Sequence, residues 1–367
     1  MSKKIIVIGA GPIGCYTAQV LKTYGYDPLL IEEHTEVGKP VHCTGLVGDK
    51  VFTEKRHFSI PTSSILSIIN GAIIHYDNQS FVIKRNNVAY VIDRERFDKE
   101  LSKGLNILYG NKFLGLEKTK SGYIIETDKD ELFADIVIGA DGANSITRRI
   151  LNHDTNNIRY YKGVQLRLKT KPRHKDLVEV YLKEPSFFWL VPETKDIVRI
   201  GIISENPYND LQNFLEETKI KGEILEKFGG LVSIGICNNT VSQNIAIVGD
   251  AACQLKPLSY GGVYFGLRAA DILARCIRNN RIQDYDSLWK TKLAAEIRMG
   301  LKIKEIYNRL DKEEIGKLFR LLKNQKSLIE KIGDFENHSH FILEIMKNPA
   351  LYPQIGDLFR IFFKTIF

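Results

Sequence analysis

The strand-like run Lys4-Ile5-Ile6-Val7-Ile8 breaks into Gly9-Ala10-Gly11-Pro12-Ile13-Gly14, and a second apolar run, Leu29-Leu30-Ile31, ends on Glu32. A GxGxxG pattern alone says little. Here it follows a strand, opens a helical pattern from Cys15 to Tyr24, and has an acidic residue about 20 positions on, as a dinucleotide-binding βαβ unit requires. Gly9 lets the strand turn sharply, Gly11 lets the backbone approach a pyrophosphate, and Gly14 lets the helix pack on the strand. The helix N-terminus supplies amide donors and partial positive charge to phosphates. Glu32 is placed to accept hydrogen bonds from ribose hydroxyls.

The rest of the composition narrows the class. A chain of 367 residues has material for two or three domains and a real core. Lys and Arg number 52 against 44 Asp and Glu, and the basic residues are scattered, which reads as a solvated surface and not a nucleic-acid patch. The five cysteines, Cys15, Cys43, Cys237, Cys253 and Cys276, form no CxxC pair. That dispersion fits a reducing compartment and argues against a disulfide framework or a metal site. No run reaches the ~18 apolar residues of a membrane span, so a cytoplasmic location is expected, with peripheral membrane contact left open.

Along the chain, β-rich runs at 65–69, 72–76, 80–83 and 88–92 suggest antiparallel strands, and Arg94 to Ser102 reads as a short helix. Lys112 to Phe133 suggests a hairpin, followed by a buried strand that ends at Asp141-Gly142. A second β-rich block covers about 164–203. Asn244 to Asp250 returns to the buried-strand type, a helix follows from Val263 to Arg278, and the pattern is helical from Tyr285. The expected fold is α/β (α+β overall). A discontinuous Rossmann-type domain (1–50, 93–158 and 245–284) is interrupted by an antiparallel-sheet substrate domain (51–92 and 159–244), with a helical C-terminal region over 285–367. Such an arrangement leaves room for a pocket between domains.

Three further segments join the glycine turn. Asp93-Arg94-Glu95-Arg96-Phe97-Asp98-Lys99-Glu100-Leu101, Ala140-Asp141-Gly142 and Val248-Gly249-Asp250-Ala251-Ala252 resemble the "DRxxFDxxL", "DG" and "GD" motifs of flavoproteins of the para-hydroxybenzoate hydroxylase superfamily. The resemblance spans roughly residues 4 to 278 and implies that the dinucleotide is FAD. By the same resemblance Asp250 binds the ribityl hydroxyls, and Gly261-Gly262-Val263 aim amides at the electron-rich edge of the flavin ring, where reduced flavin gathers negative charge. Arg94 is implied to lie near the ribityl-pyrophosphate region and Asp141 beside the cofactor. A surface pair of Arg94 with Asp98 is the other reading.

Within that superfamily, Gly38-Lys39-Pro40-Val41-His42-Cys43-Thr44-Gly45-Leu46-Val47 resembles the "GxPxxCxGxV" loop of geranylgeranyl reductases, and Phe187-Phe188-Trp189-Leu190-Val191-Pro192 their "YxWxFP" signature. The lysine expected after the proline is Glu193, which leaves the recognition of a substrate headgroup open. The hexapeptide also approximates the "WxWxIP" of flavin-dependent halogenases. The resemblance implies a reductase that saturates C=C bonds of a prenyl lipid in isoprenoid lipid biosynthesis, with Cys43 and Thr44 beside the flavin. Electrons would come from NAD(P)H or a reduced carrier such as ferredoxin.

Cys43 either acts at the ring, as substrate positioner or proton relay, or simply packs. Phe187, Trp189 and Tyr260 are candidate substrate contacts, although Phe187 and Trp189 suit a sheet core equally well. His42 is a further titratable residue in the cysteine loop, and Cys253 reads as packing. The last stretch, Leu358 to Phe367, suits an interfacial helix or one docked on the protein's own core. No second GxGxxG occurs, which disfavours a separate NAD(P)H domain, and no cysteine follows Cys276 to ligate an iron–sulfur cluster. A flavin monooxygenase or halogenase acting on an aromatic substrate and a non-catalytic flavin-binding redox partner share the same FAD motifs. Both remain open at this point.

Overall fold

The computed structural model describes residues 3–152, 156–183, 186–338 and Glu344. Four apolar runs, Ile5–Ile8, Leu29–Glu32, Ile136–Gly139 and Ile245–Ile247, stand next to one another as parallel strands of a six-stranded sheet. Asn106–Tyr109 pairs in parallel at one edge, and Val241–Ser242 pairs antiparallel at the other. The inner strands are apolar throughout because both faces of a parallel sheet are covered. One face carries the helices Pro12–Thr23 and Val263–Arg278, tied together by the Tyr16 hydroxyl donating to Asp271 at 2.8 Å. The other face is covered by a small three-stranded sheet, Phe113–Lys118, Tyr123–Thr127 and Glu131–Ala134. Where a hairpin was expected, the chain therefore makes one strand more, because Glu131–Ala134 turns back to pair with Tyr123–Glu126.

The two inserted β-rich blocks merge into one eight-stranded sheet. Its neighbours are antiparallel except where Val178–Tyr181 runs parallel to Ala72–His75. That parallel pair is the seam between the blocks, since strands from separate insertions have no hairpin to fix their direction. The four short strands expected over 65–92 are two long ones, Ile65–Tyr76 and Gln79–Ile92. A bulge beside Gly71 looks like a turn in sequence but lets the strand continue, and the close approach of Gly71 to the Ile83 carbonyl leaves no room for a side chain. Leu46–Gly48, read as loop, adds an edge strand to this sheet.

Alternation on Phe187–Pro192 sorts the two faces of the large sheet. Phe188 and Leu190 pack with the helix Pro207–Thr218, which the sequence reading left unassigned, and Phe188 stacks on Phe214 at 4.1 Å between centroids. Phe187, Trp189 and Val191 point the other way, into a cavity. The helices Ala295–Tyr307, Lys312–Asn324 and Lys326–Ile332 close that side. The second of these starts with a full capping box between Asp311 and Glu314, which fixes the turn between helices. The expected Leu358 to Phe367 helix lies outside the described residues.

One buried cation binds the turns at the sheet's C-terminal edge. Arg148 donates to the carbonyls of Ala143, Asp250 (3.0 Å) and Ala251 (2.9 Å) and to the Tyr160 hydroxyl (2.9 Å). It therefore joins the turn after Ile136–Gly139 to the turn after Ile245–Ile247. Replacing it by Met should cost at least about 3 kcal/mol, because several buried acceptors lose a charged donor together. Urea unfolding of the apoprotein checks this.

The two glycines of the opening turn differ in what they protect. A Cβ on Gly14 would overlap the Gly9 carbonyl oxygen, whereas one on Gly11 meets nothing within 4 Å. Gly14→Ala should destabilise the apoprotein by about 1–3 kcal/mol, and Gly11→Ala should leave its melting temperature unchanged while weakening nucleotide binding. Thermal melts with and without nucleotide separate the two.

Candidate active site

The residues singled out in the sequence fall into two groups around one edge of the six-stranded sheet. Gly9 has φ +95°, and its turn brings the Ala10 amide onto the Glu32 Oε2 at 2.9 Å. Glu32 also accepts from the His34 amide at 3.0 Å, so the carboxylate is fixed at the strand end. Above Gly11 the space is open, and the helix Pro12–Thr23 begins there with Pro in its first turn. Asp141 is engaged with the protein itself. It accepts from the Ser145 hydroxyl (2.6 Å) and from the Thr147 amide (3.0 Å), securing the start of Ile146–Leu151.

Asp250 is half-buried, and among the described residues nothing donates a hydrogen bond to its carboxylate. Burial raises its pKa above the usual carboxylate range, against the opposing charges of Arg94 and Arg148. A half-buried carboxylate without a protein donor is open to a ligand donor. Gly262 is held to glycine by that same carboxylate, since a Cβ there would lie 2.5 Å from Asp250 Oδ1. Val263 opens the sixteen-residue helix Val263–Arg278, with Gly262 at its N-cap. An open glycine turn on a helix N-terminus, a fixed acid at the second strand and an unpartnered acceptor beside a second helix N-terminus are what a dinucleotide requires. The residues fit FAD.

Arg94 makes the pair with Asp98, though not at the surface. It is paired with Asp98 through Nη2 (3.0 Å) and Nε (3.2 Å), yet the pair is buried and the guanidinium faces the Cys43 thiol. Burial disfavours its charge, but Asp98 and Cys43 outweigh this and hold the pKa above the ordinary arginine value. Cys43 is half-buried and accepts from the Gly45 amide at 3.3 Å.

Cys43 and Thr44 form one end of a cavity of about 790 Å³ that lies between the eight-stranded sheet and the helices 295–332. Phe187, Trp189, Tyr260 and Gly261 line it, and so does His42, whose ring Nδ1 lies 2.6 Å from the Gly229 carbonyl. Away from that end the walls are mostly Ile, Leu and Val, from both the sheet and the helices. The cavity therefore joins the cysteine loop to the glycines before Val263 and continues as an apolar channel. His338 lines it too, and burial together with the Lys256 charge lowers its pKa to about 3, so the ring is neutral.

Several residues of this site carry no sequence motif. Gln165 is 5 % exposed; its Oε1 accepts from the Thr44 hydroxyl (2.6 Å) and the Trp189 indole (3.1 Å). Indole nitrogen only donates, which fixes the amide orientation and leaves Nε2 buried without a partner at the cavity wall. Lys256 and Glu336, 3 % and 2 % exposed, pair at 2.8 Å. Lys256 also donates to the Phe335 carbonyl (2.7 Å), and Glu336 accepts from the Gly48 amide (3.1 Å). Lys50 pairs with Asp334 at 2.5 Å. Together these contacts fasten residues 333–338 over the cavity.

Glu193, where a lysine was expected, is 2 % exposed and does not line the cavity. It accepts from Arg167 (2.7 Å) and Arg199 (2.8 Å), and Arg199 in turn donates to the Thr44 and Ile92 carbonyls. Burial favours the protonated acid, but the two guanidiniums prevail and lower its pKa. Glu193 thus holds the cysteine loop. Cys253 is buried against Arg148 and Ser233, in keeping with a packing role.

Comparison with known proteins agrees with this architecture. No family model matches the chain. An uncharacterized protein of Methanocaldococcus jannaschii is 31% identical, with 94% of this chain and 95% of that protein aligned. Digeranylgeranylglycerophospholipid reductases of Methanosarcina acetivorans (88% of this chain, 89% of theirs) and Methanococcus vannielii (97% and 98%) are each 28% identical. Among solved structures, a geranylgeranyl bacteriochlorophyll reductase-like protein of Thermoplasma acidophilum superposes with a TM-score of 0.81 at 22% identity, covering 97% of this chain and 99% of that one. The flavin-dependent halogenase CmlS gives a TM-score of 0.69 at 16% identity, over 98% of this chain and 78% of its own. A glycine turn on a helix N-terminus, an acid without a protein donor beside a second helix N-terminus and an apolar cavity lined by Cys43, in a chain this similar to named reductases, identify it as an FAD-dependent oxidoreductase of the geranylgeranyl reductase family.

Proposed function

We propose that the protein saturates C=C bonds of a prenyl, geranylgeranyl-type chain in isoprenoid lipid biosynthesis. The observation that carries this reading is the apolar channel of about 790 Å³ that begins at Cys43 and Gly261. A prenyl chain has no carbonyl for the protein to polarise. Its recognition must come from apolar walls, and its reactivity from being held in a dry place at the right distance.

FAD, when bound, supplies hydride. The protein's own residues hold, orient and exclude. Glu32 is assigned to the adenosine ribose, the turn at Gly11 to the pyrophosphate, and Asp250 to the ribityl hydroxyls. The amides at Gly261, Gly262 and Val263 are assigned to the flavin edge that becomes negative on reduction. Phe187 and Trp189 form the channel wall next to the cysteine loop, and the sheet and helices beyond exclude water along the rest of the chain. Gln165 Nε2 is a buried donor available to a ligand oxygen or nitrogen at that end. NAD(P)H or a reduced carrier such as ferredoxin is the proposed electron source. Among the described residues no helix is long and apolar enough to cross a membrane.

The test is direct. Purified holoprotein, photoreduced without oxygen, should be reoxidised by geranylgeraniol or its lipid ethers and yield the saturated chain. Reoxidation that makes product only with oxygen would replace this reading with a monooxygenase or halogenase, and a reduced flavin stable to prenyl lipid would reduce the protein to a binding partner.

Asp250→Ala should weaken FAD retention more than Cys43→Ala. Each cofactor hydrogen bond lost from a buried partner is worth about 1–3 kcal/mol, whereas Cys43 would lose only a contact. Equilibrium dialysis against FAD measures both.

A further inference from the structure

We infer that Tyr260 is the acid that protonates the alkene and that Lys304 is the residue that positions and recharges it; this rests on the prenyl-reductase reading above. Saturating an alkene takes a proton as well as a hydride, and most of the channel wall offers only carbon. Tyr260 is where a hydroxyl-bearing ring comes to the reactive end. It lines the channel one residue before Gly261, and its backbone has φ +59°. An aromatic residue in the left-handed region is strained and persists where the surroundings impose it. The Lys256 carbonyl holds it there, accepting from the Tyr260 amide at 2.8 Å.

Lys304 comes from the helix Ala295–Tyr307, more than forty residues away, and its Nζ donates to the Tyr260 hydroxyl at 2.5 Å. An ammonium only donates, so it takes a lone pair of the phenol oxygen and leaves the phenol's own proton to point elsewhere. Among the described residues no carboxylate pairs with Lys304. Its charge lies over the rings of Tyr260 and Tyr161, 4.4 and 4.7 Å from their centroids. Ser186, Tyr161 and Tyr307 are the other polar or titratable side chains facing Tyr260. Burial lowers the Lys304 pKa to about 8, which leaves it charged at neutral pH but able to release its proton.

The step balances as follows. The alkene π bond breaks as hydride, the electron pair arriving from reduced flavin, forms a C–H bond at one carbon. The neighbouring carbon gathers the displaced pair and bonds to the Tyr260 proton, leaving a phenolate. Because that carbon becomes electron-rich, a weak acid suffices. The Lys304 ammonium passes a proton to the phenolate along the existing hydrogen bond, and water reprotonates the amine. The flavin is oxidised and the alkene reduced by two electrons.

Anaerobically photoreduced holoprotein mixed with geranylgeraniol across pH tests this, in wild type, Tyr260→Phe, Lys304→Met and Lys304→Arg. Removing a general acid should slow reoxidation by about 10²-fold or more in Tyr260→Phe, with FAD binding and reoxidation by ferricyanide unchanged. The wild-type rate should fall as pH rises through about 8, as Lys304 loses its proton. Lys304→Met should be slow at every pH and lack that step, and so should Lys304→Arg, because a guanidinium keeps its proton and cannot recharge the phenolate. In flavin-free protein carrying ¹³C-methylated lysines, the Lys304 resonance should titrate near pH 8, and an ordinary lysine titration there overturns the relay. Wild-type reoxidation rates in Tyr260→Phe overturn the acid assignment alone. A wild-type enzyme that geranylgeraniol does not reoxidise overturns the prenyl-reductase reading, and this assignment with it.

Discussion

The Arg199 guanidinium is buried where the large sheet meets the cofactor-binding turns, and the geometry of the reactive end depends on it. It donates to the Thr44 and Ile92 carbonyls and to Glu193. Removing a guanidinium and a carboxylate from water costs several kcal/mol per ion, and only close pairing with further hydrogen bonds offsets that. Here Arg167 supplies the second set of bonds to Glu193. Gly45 must be glycine for the same reason, because its φ is +71° and a Cβ would lie 2.5 Å from the Arg199 side chain. The cysteine loop is thus clamped from outside the channel, leaving Cys43 and Thr44 facing in.

What could be read from the sequence was what is local. Gly9, Gly11, Gly14 and Glu32 owe their meaning to a strand, a turn and a helix within thirty residues, so spacing alone carries the geometry. The same holds for the turn at Asp250 and the glycines before Val263. Phe187 and Trp189 share a face because strand side chains alternate. The sequence could not say which face, since that depends on the helix Pro207–Thr218 filling the other one. The bulge at Gly71 misled in the opposite direction: a glycine that bends a strand looks the same as one that ends it.

What could not be read depends on pairs far apart in the chain. Gln165 acquires its free amide only because Thr44, 121 residues away, and Trp189 hold its oxygen. Lys256 and Glu336 are unremarkable charges until the chain folds residues 333–338 over the sheet. Glu193 shows the hazard of carrying a motif position across a substitution. The reversed charge left headgroup recognition open, and the side chain turns inward to two arginines. Lys304 sits in a helix whose basic and apolar residues alternate as on many surfaces, and only its packing on two tyrosines sets it apart.

The helices that close the channel follow every cofactor motif in the chain, and they reach it through Ile306, Leu310, Leu318, Leu321, Leu322 and Ile329. Apart from Lys304, the residues assigned to the chemistry and those that form this wall therefore come from separate stretches of sequence. On the proposed reading the turns around Gly9, Cys43, Asp250 and Gly261 set where a bond is broken, while a later stretch forms the facing wall. Trading one branched side chain for another in those helices lengthens or shortens the channel without disturbing the reactive end. A single frame of this kind can be fitted to apolar ligands of different lengths by editing residues 306–329 alone.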